Sequence, residues 1–99
     1  MQIELHGSSG LTITGNIKSI EDSIEIKEAI NSLQKMGATK ILIKIVDSFS
    51  MTSTVIGHLM KLVNLDNISV SLVVGDRRLY DLLDELGLVH IFNVLIIGK

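Results

Sequence analysis

Hydrophobic residues follow two spacings along this chain, and the clearest change from one to the other lies between residues 40 and 65. Residues 41–46 are almost continuously apolar and rich in isoleucine, which is typical of a strand covered on both faces of a sheet. A polar turn with several hydroxyl side chains follows, and from Val55 onwards apolar residues recur at helical spacing as far as Val63. This stretch therefore predicts a buried strand, a turn and a helix, with hydroxyl groups where the helix begins.

The first third of the chain predicts a hairpin and a helix. Residues 2–6 alternate between apolar and polar side chains, and residues 11–17 predict a second strand that pairs with the first. Ser19 and Asp22 are placed to cap a helix, because a hydroxyl and a carboxylate at this spacing satisfy the first free N–H groups. Gly37 is placed to end that helix in the left-handed conformation.

The last third continues the alternation of strand and helix. Residues 68–74 and 90–96 predict two further strands, and the helix between them begins at Asp76 and ends at Gly87. The order β-β-α-β-α-β-α-β predicts an α/β fold in a single domain, residues 1–99, with helices packed on a mixed β-sheet of about five strands. Strands joined by helices should be parallel with right-handed crossovers, whereas the first two should be antiparallel.

Composition and charge exclude several classes of function. The formal net charge of −2 argues against a nucleic-acid-binding protein, and an aromatic content of 3% leaves no platform for stacking bases. The chain has no cysteine, and its three histidines lack the spacing of metal ligands, so we expect neither thiol chemistry nor a cofactor. The first residues do not resemble a signal peptide, and no uncharged stretch approaches the roughly 18 residues of a membrane span. We therefore expect a cytoplasmic protein without direct membrane insertion.

Three segments resemble one known domain family. Residues 15–17 read Gly-Asn-Ile, which is similar to the Gly-Glu-Leu at the end of an early strand in that family. Residues 43–59 resemble its strand, turn and helix with the motif Asp-Ser-Ser/Thr-x-x-Gly, which reads Thr-Ser-Thr-Val-Ile-Gly at residues 52–57. Residues 78–92 resemble the segment that ends the third helix with Gly-Leu. On these residues the chain resembles a STAS domain, the fold of bacterial anti-sigma factor antagonists and of the cytoplasmic tails of sulfate transporters.

The resemblance implies a regulatory role that depends on Ser53. In the sigma-regulating branch, the serine matching Ser53 is phosphorylated by a partner kinase that is also the anti-sigma factor. The dephosphorylated protein binds that partner and frees the sigma factor. We therefore expect a protein that is not an enzyme and that binds its partner through the turn and helix at residues 47–60. The residues predicted to contact the partner are Asp47, Ser50, Met51, Thr52, Ser53, Thr54, Gly57 and His58.

Thr52 departs from the family motif, which has an acidic residue before the serine. Threonine at this position occurs in related domains that are not switched by phosphate, including small cytoplasmic subunits of lipid-transporting ABC systems. The alternative function is therefore a non-phosphorylated STAS subunit of a membrane transport complex for lipids or anions, which acts as a protein-interaction module. Asp47 lies in the same turn and is another source of negative charge near Thr52.

Structural roles also explain some of these residues. Thr52 or Ser53 is a typical N-cap, and a capping hydroxyl can still accept phosphate. A nucleophile built from Thr54, His58 and Asp47 is disfavoured, because neither a strained nucleophile turn nor an oxyanion donor accompanies it. We expect His58 to be an exposed histidine instead.

The apolar side chains around the second helix also have two explanations. Leu62 and Leu65 widen its apolar stripe, either as part of the core or as an exposed patch for a partner or for a second copy in a homodimer. Met51 falls in the preceding turn, where we expect it to be exposed and to act as a binding contact.

Overall fold

Strands and helices alternate in the predicted order in the computed structural model, which describes residues 1–97. The structure is an α/β fold, and the last two residues of the predicted 1–99 domain lie outside the described part. The elements are β1 (Gln2–His6), β2 (Gly10–Thr14), α1 (Ile20–Lys35), β3 (Lys40–Ile45), α2 (Ser53–Asn64), β4 (Ser69–Val74), α3 (Arg77–Glu85) and β5 (Leu95–Ile96).

The five strands form one mixed sheet in the order β1-β2-β3-β4-β5. β1 and β2 are antiparallel, with Ile3 opposite Ile13, whereas β2, β3, β4 and β5 run parallel to one another. Each helical crossover advances the chain by one strand in the same direction, so right-handed crossovers place all three helices on the same face of the sheet. The predicted mixed sheet with an antiparallel first pair is confirmed.

The hydrophobic core lies between this helical layer and the inner face of the sheet. Ile43 of β3 and Leu72 of β4 are neighbours in register at the centre of the sheet, and both are buried. Leu33 of α1, Leu59 of α2 and Leu79 of α3 belong to the same buried cluster. Each such side chain contributes about 1.5–3 kcal/mol to folding, so these contacts fix the helices on the sheet.

Only the inner face of the sheet is covered within residues 1–97, so the prediction that the central strand is buried on both faces is wrong. Along β3, buried and exposed residues alternate, and Leu42 and Lys44 lie on the outer face. Leu42 leaves 49% of its surface exposed. An exposed leucine has the same hydropathy as a buried one, so the apolar run alone does not distinguish a strand covered on one face from a strand covered on both.

Two strands have a boundary three or more residues from the predicted one. β2 ends at Thr14 because the chain turns at Gly15, whose φ of +93° is in the region that favours glycine. β5 has only two residues, because the chain before it forms a helical turn closed by a 3.0 Å bond from the Phe92 N–H to the Leu88 carbonyl. The Leu72 N–H bonds to the Phe92 carbonyl at 3.1 Å, which holds this turn against the edge of β4.

Helix boundaries follow the predicted capping residues. The Ser19 hydroxyl accepts a hydrogen bond from the Asp22 N–H at 3.0 Å, and the Asp22 carboxylate accepts one from the Ser19 N–H at 3.2 Å. A further backbone bond from the Lys18 N–H to this carboxylate lowers the pKa of Asp22. Gly37 after α1 and Gly87 after α3 both have positive φ, as expected of residues that end helices.

The molecule is small in every dimension. Its Cα radius of gyration is 12.2 Å, close to that expected of a compact chain of this length. None of the helices within residues 1–97 is long and apolar enough to cross a bilayer.

Candidate functional site

The carboxyl ends of the parallel strands bring three loops to the same edge of the sheet. The loop after β2 (residues 15–19), the loop after β3 (residues 46–52) and the short turn after β4 (residues 75–76) all begin there. The predicted partner-binding residues occupy the second of these loops and the first half of α2. In open α/β sheets this edge is the usual place for recognition, because the loops can vary while the strands hold them in position.

Asp47 and Ser48 tie the loop after β3 to the loop after β2. The Asp47 carboxylate accepts a 2.7 Å bond from the Gly15 N–H, so it is held on the β2 side of the turn. The buried Ser48 hydroxyl accepts a 3.0 Å bond from the Ile17 N–H and donates a 2.7 Å bond to the Ser50 carbonyl. The Ser50 hydroxyl donates in turn to the Ile17 carbonyl at 3.3 Å. The two loops therefore form one hydrogen-bonded unit.

Thr52 is the N-cap of α2, so the capping prediction is confirmed. Its hydroxyl accepts a 3.2 Å bond from the Val55 N–H and lies 2.8 Å from the Ser23 hydroxyl of α1. The Ser23 hydroxyl donates to the Ser19 carbonyl at 3.1 Å, which commits its only proton. Thr52 must therefore donate to Ser23, and the result is a continuous chain of hydrogen bonds from the start of α2 to the start of α1.

Ser53 is the first residue of α2 and is exposed, as are Thr54 and Gly57. The space around Gly57 is open, since a Cβ built there has no neighbour within 4 Å among the described residues. The first turn of a helix leaves N–H groups without intrahelical partners and carries a partial positive charge. A negatively charged group on Ser53 is therefore favourably placed with respect to the helix.

Met51 is buried, so the prediction that it is exposed is wrong. Its side chain is only 8% exposed and belongs to the hydrophobic core cluster. The hydrogen bonds of the turn hold the backbone in a conformation in which the Met51 side chain lies in the core. Met51 therefore anchors the turn to the core, and the surface available to a partner is smaller than the sequence indicated.

His58 is half-buried, which corrects the expectation of an exposed histidine. Its Nε2 atom is buried and has no hydrogen-bond partner within residues 1–97. Burial lowers the pKa of His58, and the charges of Lys27 on α1 and Lys61 on α2 lower it further. The Asp47 carboxylate accepts from the Gly15 N–H, and no hydrogen bond joins Asp47 to His58 within residues 1–97.

Phe49 and Arg78 form an exposed contact that sequence reasoning missed. The Arg78 guanidinium lies 4.7 Å from the centroid of the Phe49 ring, and the Phe49 N–H donates to the Asn16 side chain at 3.3 Å. Arg78 also pairs with Asp76 at 2.8 Å, and hydrogen bonding from Arg78 lowers the pKa of Asp76. Aromatic and arginine side chains often dominate the binding energy of interfaces. A phenylalanine between two serines in the turn was the available signal in the sequence.

Leu62 and Leu65, which the sequence assigns either to the core or to an exposed patch, have different environments in the structure. Leu62 is buried in the core, whereas Leu65 is exposed at the end of α2. Within residues 1–97 there is no group of three histidine, cysteine or acidic residues that could hold a metal ion.

Comparison with family models, with curated proteins and with solved structures found no match.

Proposed function

We propose that the chain is a STAS-like regulatory domain that binds a protein partner, and that phosphorylation of Ser53 controls this binding. The observation that carries the proposal is the position of Ser53, the exposed first residue of α2. The capping function belongs to its neighbour Thr52, so a modified Ser53 leaves the N-cap intact. The mixed sheet and the order of elements support the STAS-like fold that the resemblance implies.

The start of α2 can accept a phosphate without loss of the fold. A phosphoserine adds a charge of about −1.5 to −2, and the helix N-terminus stabilises negative charge. The first turn of α2, which is described in full, contains no acidic residue that would repel it. The consequence of phosphorylation therefore falls on the partner.

The partner that fits this mechanism presents negative charge opposite Ser53. Like charges brought together in an interface cost several kcal/mol, which lowers affinity on the order of a thousandfold. A serine kinase that is also the anti-sigma factor is the partner that the resemblance implies. We place its contact on the exposed residues Ser53, Thr54 and Gly57, with Phe49 and Arg78 as anchors beside them.

Capture of the partner by immobilised chain tests this proposal. We expect the wild-type chain and Ser53→Ala to retain the same protein from a lysate of the source cells. Ser53→Asp should retain at least about tenfold less of it, because the single negative charge of the aspartate is repelled by the negative charge of the partner. Ser8→Asp is the matched control, since Ser8 is an exposed serine in the turn between β1 and β2. Equal retention by wild type and Ser53→Asp would contradict the switch.

A non-phosphorylated subunit of a membrane transport complex is the second candidate. Thr52 favours it, because the acidic residue of the phosphorylated motif is replaced by a hydroxyl that is used in hydrogen bonds with Val55 and Ser23. The gene neighbourhood separates the two candidates. A neighbouring kinase-like anti-sigma factor supports the switch, whereas a neighbouring permease and ATPase support the transport subunit.

A further inference from the structure

The outer face of the sheet carries an apolar groove that no element within residues 1–97 covers. The groove has a volume of about 510 Å³, and its floor includes Leu42 of β3, Val73 of β4 and Leu95 of β5. Leu42 and Leu95 leave 49% and 65% of their surfaces exposed. Sheets usually bury their apolar positions against another layer, so this outer groove indicates a contact surface.

One side of the outer groove is positively charged. Lys40 and Lys44 lie on either side of Leu42 along the outer face of β3, and both are exposed. Four residues of extended strand separate them by about 13 Å. Neither lysine makes a salt bridge within residues 1–97, so both charges are available to a partner.

The opposite side of the molecule carries a surface of complementary charge on α1. Ile20 and Ile24 lie one turn apart and are exposed, at 75% and 50% of their surfaces. Glu21, Glu25 and Glu28 form an exposed acidic row beside them, at the spacing that aligns residues along a helix. This row is about 10 Å long, which is close to the separation of the two lysines. These five residues are called the α1 ridge.

We propose that copies of this chain stack on one another, with the α1 ridge of one copy in the outer groove of the next. The isoleucines cover Leu42, Val73 and Leu95, and the glutamates face Lys40 and Lys44. Ridge and groove lie on opposite layers of the molecule, so one copy makes both contacts at once. Such a contact is heterologous, and it extends beyond a dimer or closes into a ring.

A two-fold dimer through two outer grooves fits the charges less well. An axis across the strands at Leu42 sets Lys40 of one copy against Lys44 of the other, which opposes association. An axis along β4 sets β3 of one copy against β5 of the other, whose two residues, Leu95 and Ile96, carry no charge for the lysines to pair with. An axis shifted to Thr12 pairs Glu4 with Lys44, because these three residues share one row across the sheet. That shift leaves Leu95 uncovered, since β5 lies at the far edge of the sheet from β1.

Sedimentation velocity of the full chain over a range of micromolar concentrations tests the stack. We expect the wild-type mass to rise beyond that of a dimer as concentration increases, and to fall when salt is added. Leu42→Asp in the groove and Ile24→Lys on the ridge should each weaken self-association by about tenfold or more, because each places a like charge in the contact. Leu65→Asp is the control, since Leu65 is exposed at the end of α2 and belongs to neither surface.

Mixing the two variants distinguishes stacking from a two-fold dimer. Leu42→Asp keeps an intact ridge and Ile24→Lys keeps an intact groove, so a mixture should form a one-to-one dimer that grows no further. Circular dichroism verifies that both variants are folded. The proposal is overturned if the wild-type chain stays monomeric at every concentration. That is the result expected if the groove binds a different protein. A mixture that forms no dimer, or a Leu65→Asp variant that dissociates the assembly, overturns the proposal as well.

Discussion

At the scale of single residues, Thr52 and Ser53 have different roles in the candidate site: Thr52 caps the helix, and the exposed Ser53 carries the hydroxyl proposed to accept phosphate. Thr52 is the N-cap of α2, and its hydroxyl both accepts from the Val55 N–H and donates to Ser23. Ser53, the next residue, is exposed. Thr52 therefore caps the helix while the adjacent serine stays accessible.

Replacing Thr52 with alanine should destabilise the fold, because the Val55 N–H loses its cap and Ser23 loses a donor. We expect the free energy of unfolding to fall by about 1 kcal/mol, the usual cost of losing an N-cap. Urea unfolding measures this, with Thr54→Ala, an exposed position in the first turn of the same helix, as the matched control. Equal stabilities of the two variants would contradict the capping role.

His58 should make the stability depend on pH. Burial lowers the pKa of His58 in the folded state, with Lys27 and Lys61 lowering it further and Asp66 opposing them. The unfolded chain therefore takes up a proton first, at a pKa of about 6.5. The stabilisation is complete above that pH and is lost as pH falls towards the folded pKa.

Urea unfolding at several pH values between 8 and 5 measures this effect in the wild type and in His58→Gln. His6 and His90 are present in both chains, so the difference between the two profiles isolates His58. We expect the wild type to lose stability relative to the variant as the pH falls. Parallel profiles would show that the environment of His58 does not disfavour its protonation.

At the scale of elements, features that depend on residues close in sequence could be predicted, whereas contacts between residues far apart in the chain could not. The capping box of Ser19 and Asp22 and the helix-ending Gly37 follow from residues close in sequence, and the prediction of both is confirmed. The burial of Met51 and the bond from Gly15 to Asp47 depend on residues far apart in the chain, so hydropathy and spacing do not reveal them. The start of α2 near Ser53 could be predicted from local residues, whereas which residues of its first turn are exposed depends on how the helix packs on the sheet.

Two glycines should respond oppositely to alanine, because Gly57 lies at an open position of α2, whereas Gly75, just after β4, lies close to the backbone that follows β3. A Cβ on Gly75 would overlap the carbonyl oxygen of Val46, and backbone cannot move aside as a side chain can. We expect Gly75→Ala to lose about 1–3 kcal/mol of stability. Gly57→Ala should gain about 0.5–1 kcal/mol, because alanine favours the helix and nothing lies near the added carbon. Urea unfolding of both variants measures the contrast, and losses of equal size would contradict it.

At the scale of the whole molecule, topology determines where the surfaces lie. Strands added in one direction place every helix on one face, which leaves the outer groove of the sheet uncovered within residues 1–97. The same parallel strands end at one edge, where the start of α2 presents Ser53. The order of elements was predicted from the sequence, but Leu42 was taken as buried because its exposure depends on which face the helices occupy.

Localising phosphate on the chain isolated from its source cells tests the central claim most directly. Trypsin cuts after Lys44 and Lys61 and releases residues 45–61, which contain Ser48, Ser50, Thr52, Ser53 and Thr54 in one peptide. Fragmentation of that peptide by mass spectrometry assigns the modified residue. We expect phosphate on Ser53, the exposed serine at the start of α2. Phosphate found only on other residues, or a chain that is never phosphorylated, would contradict the switch.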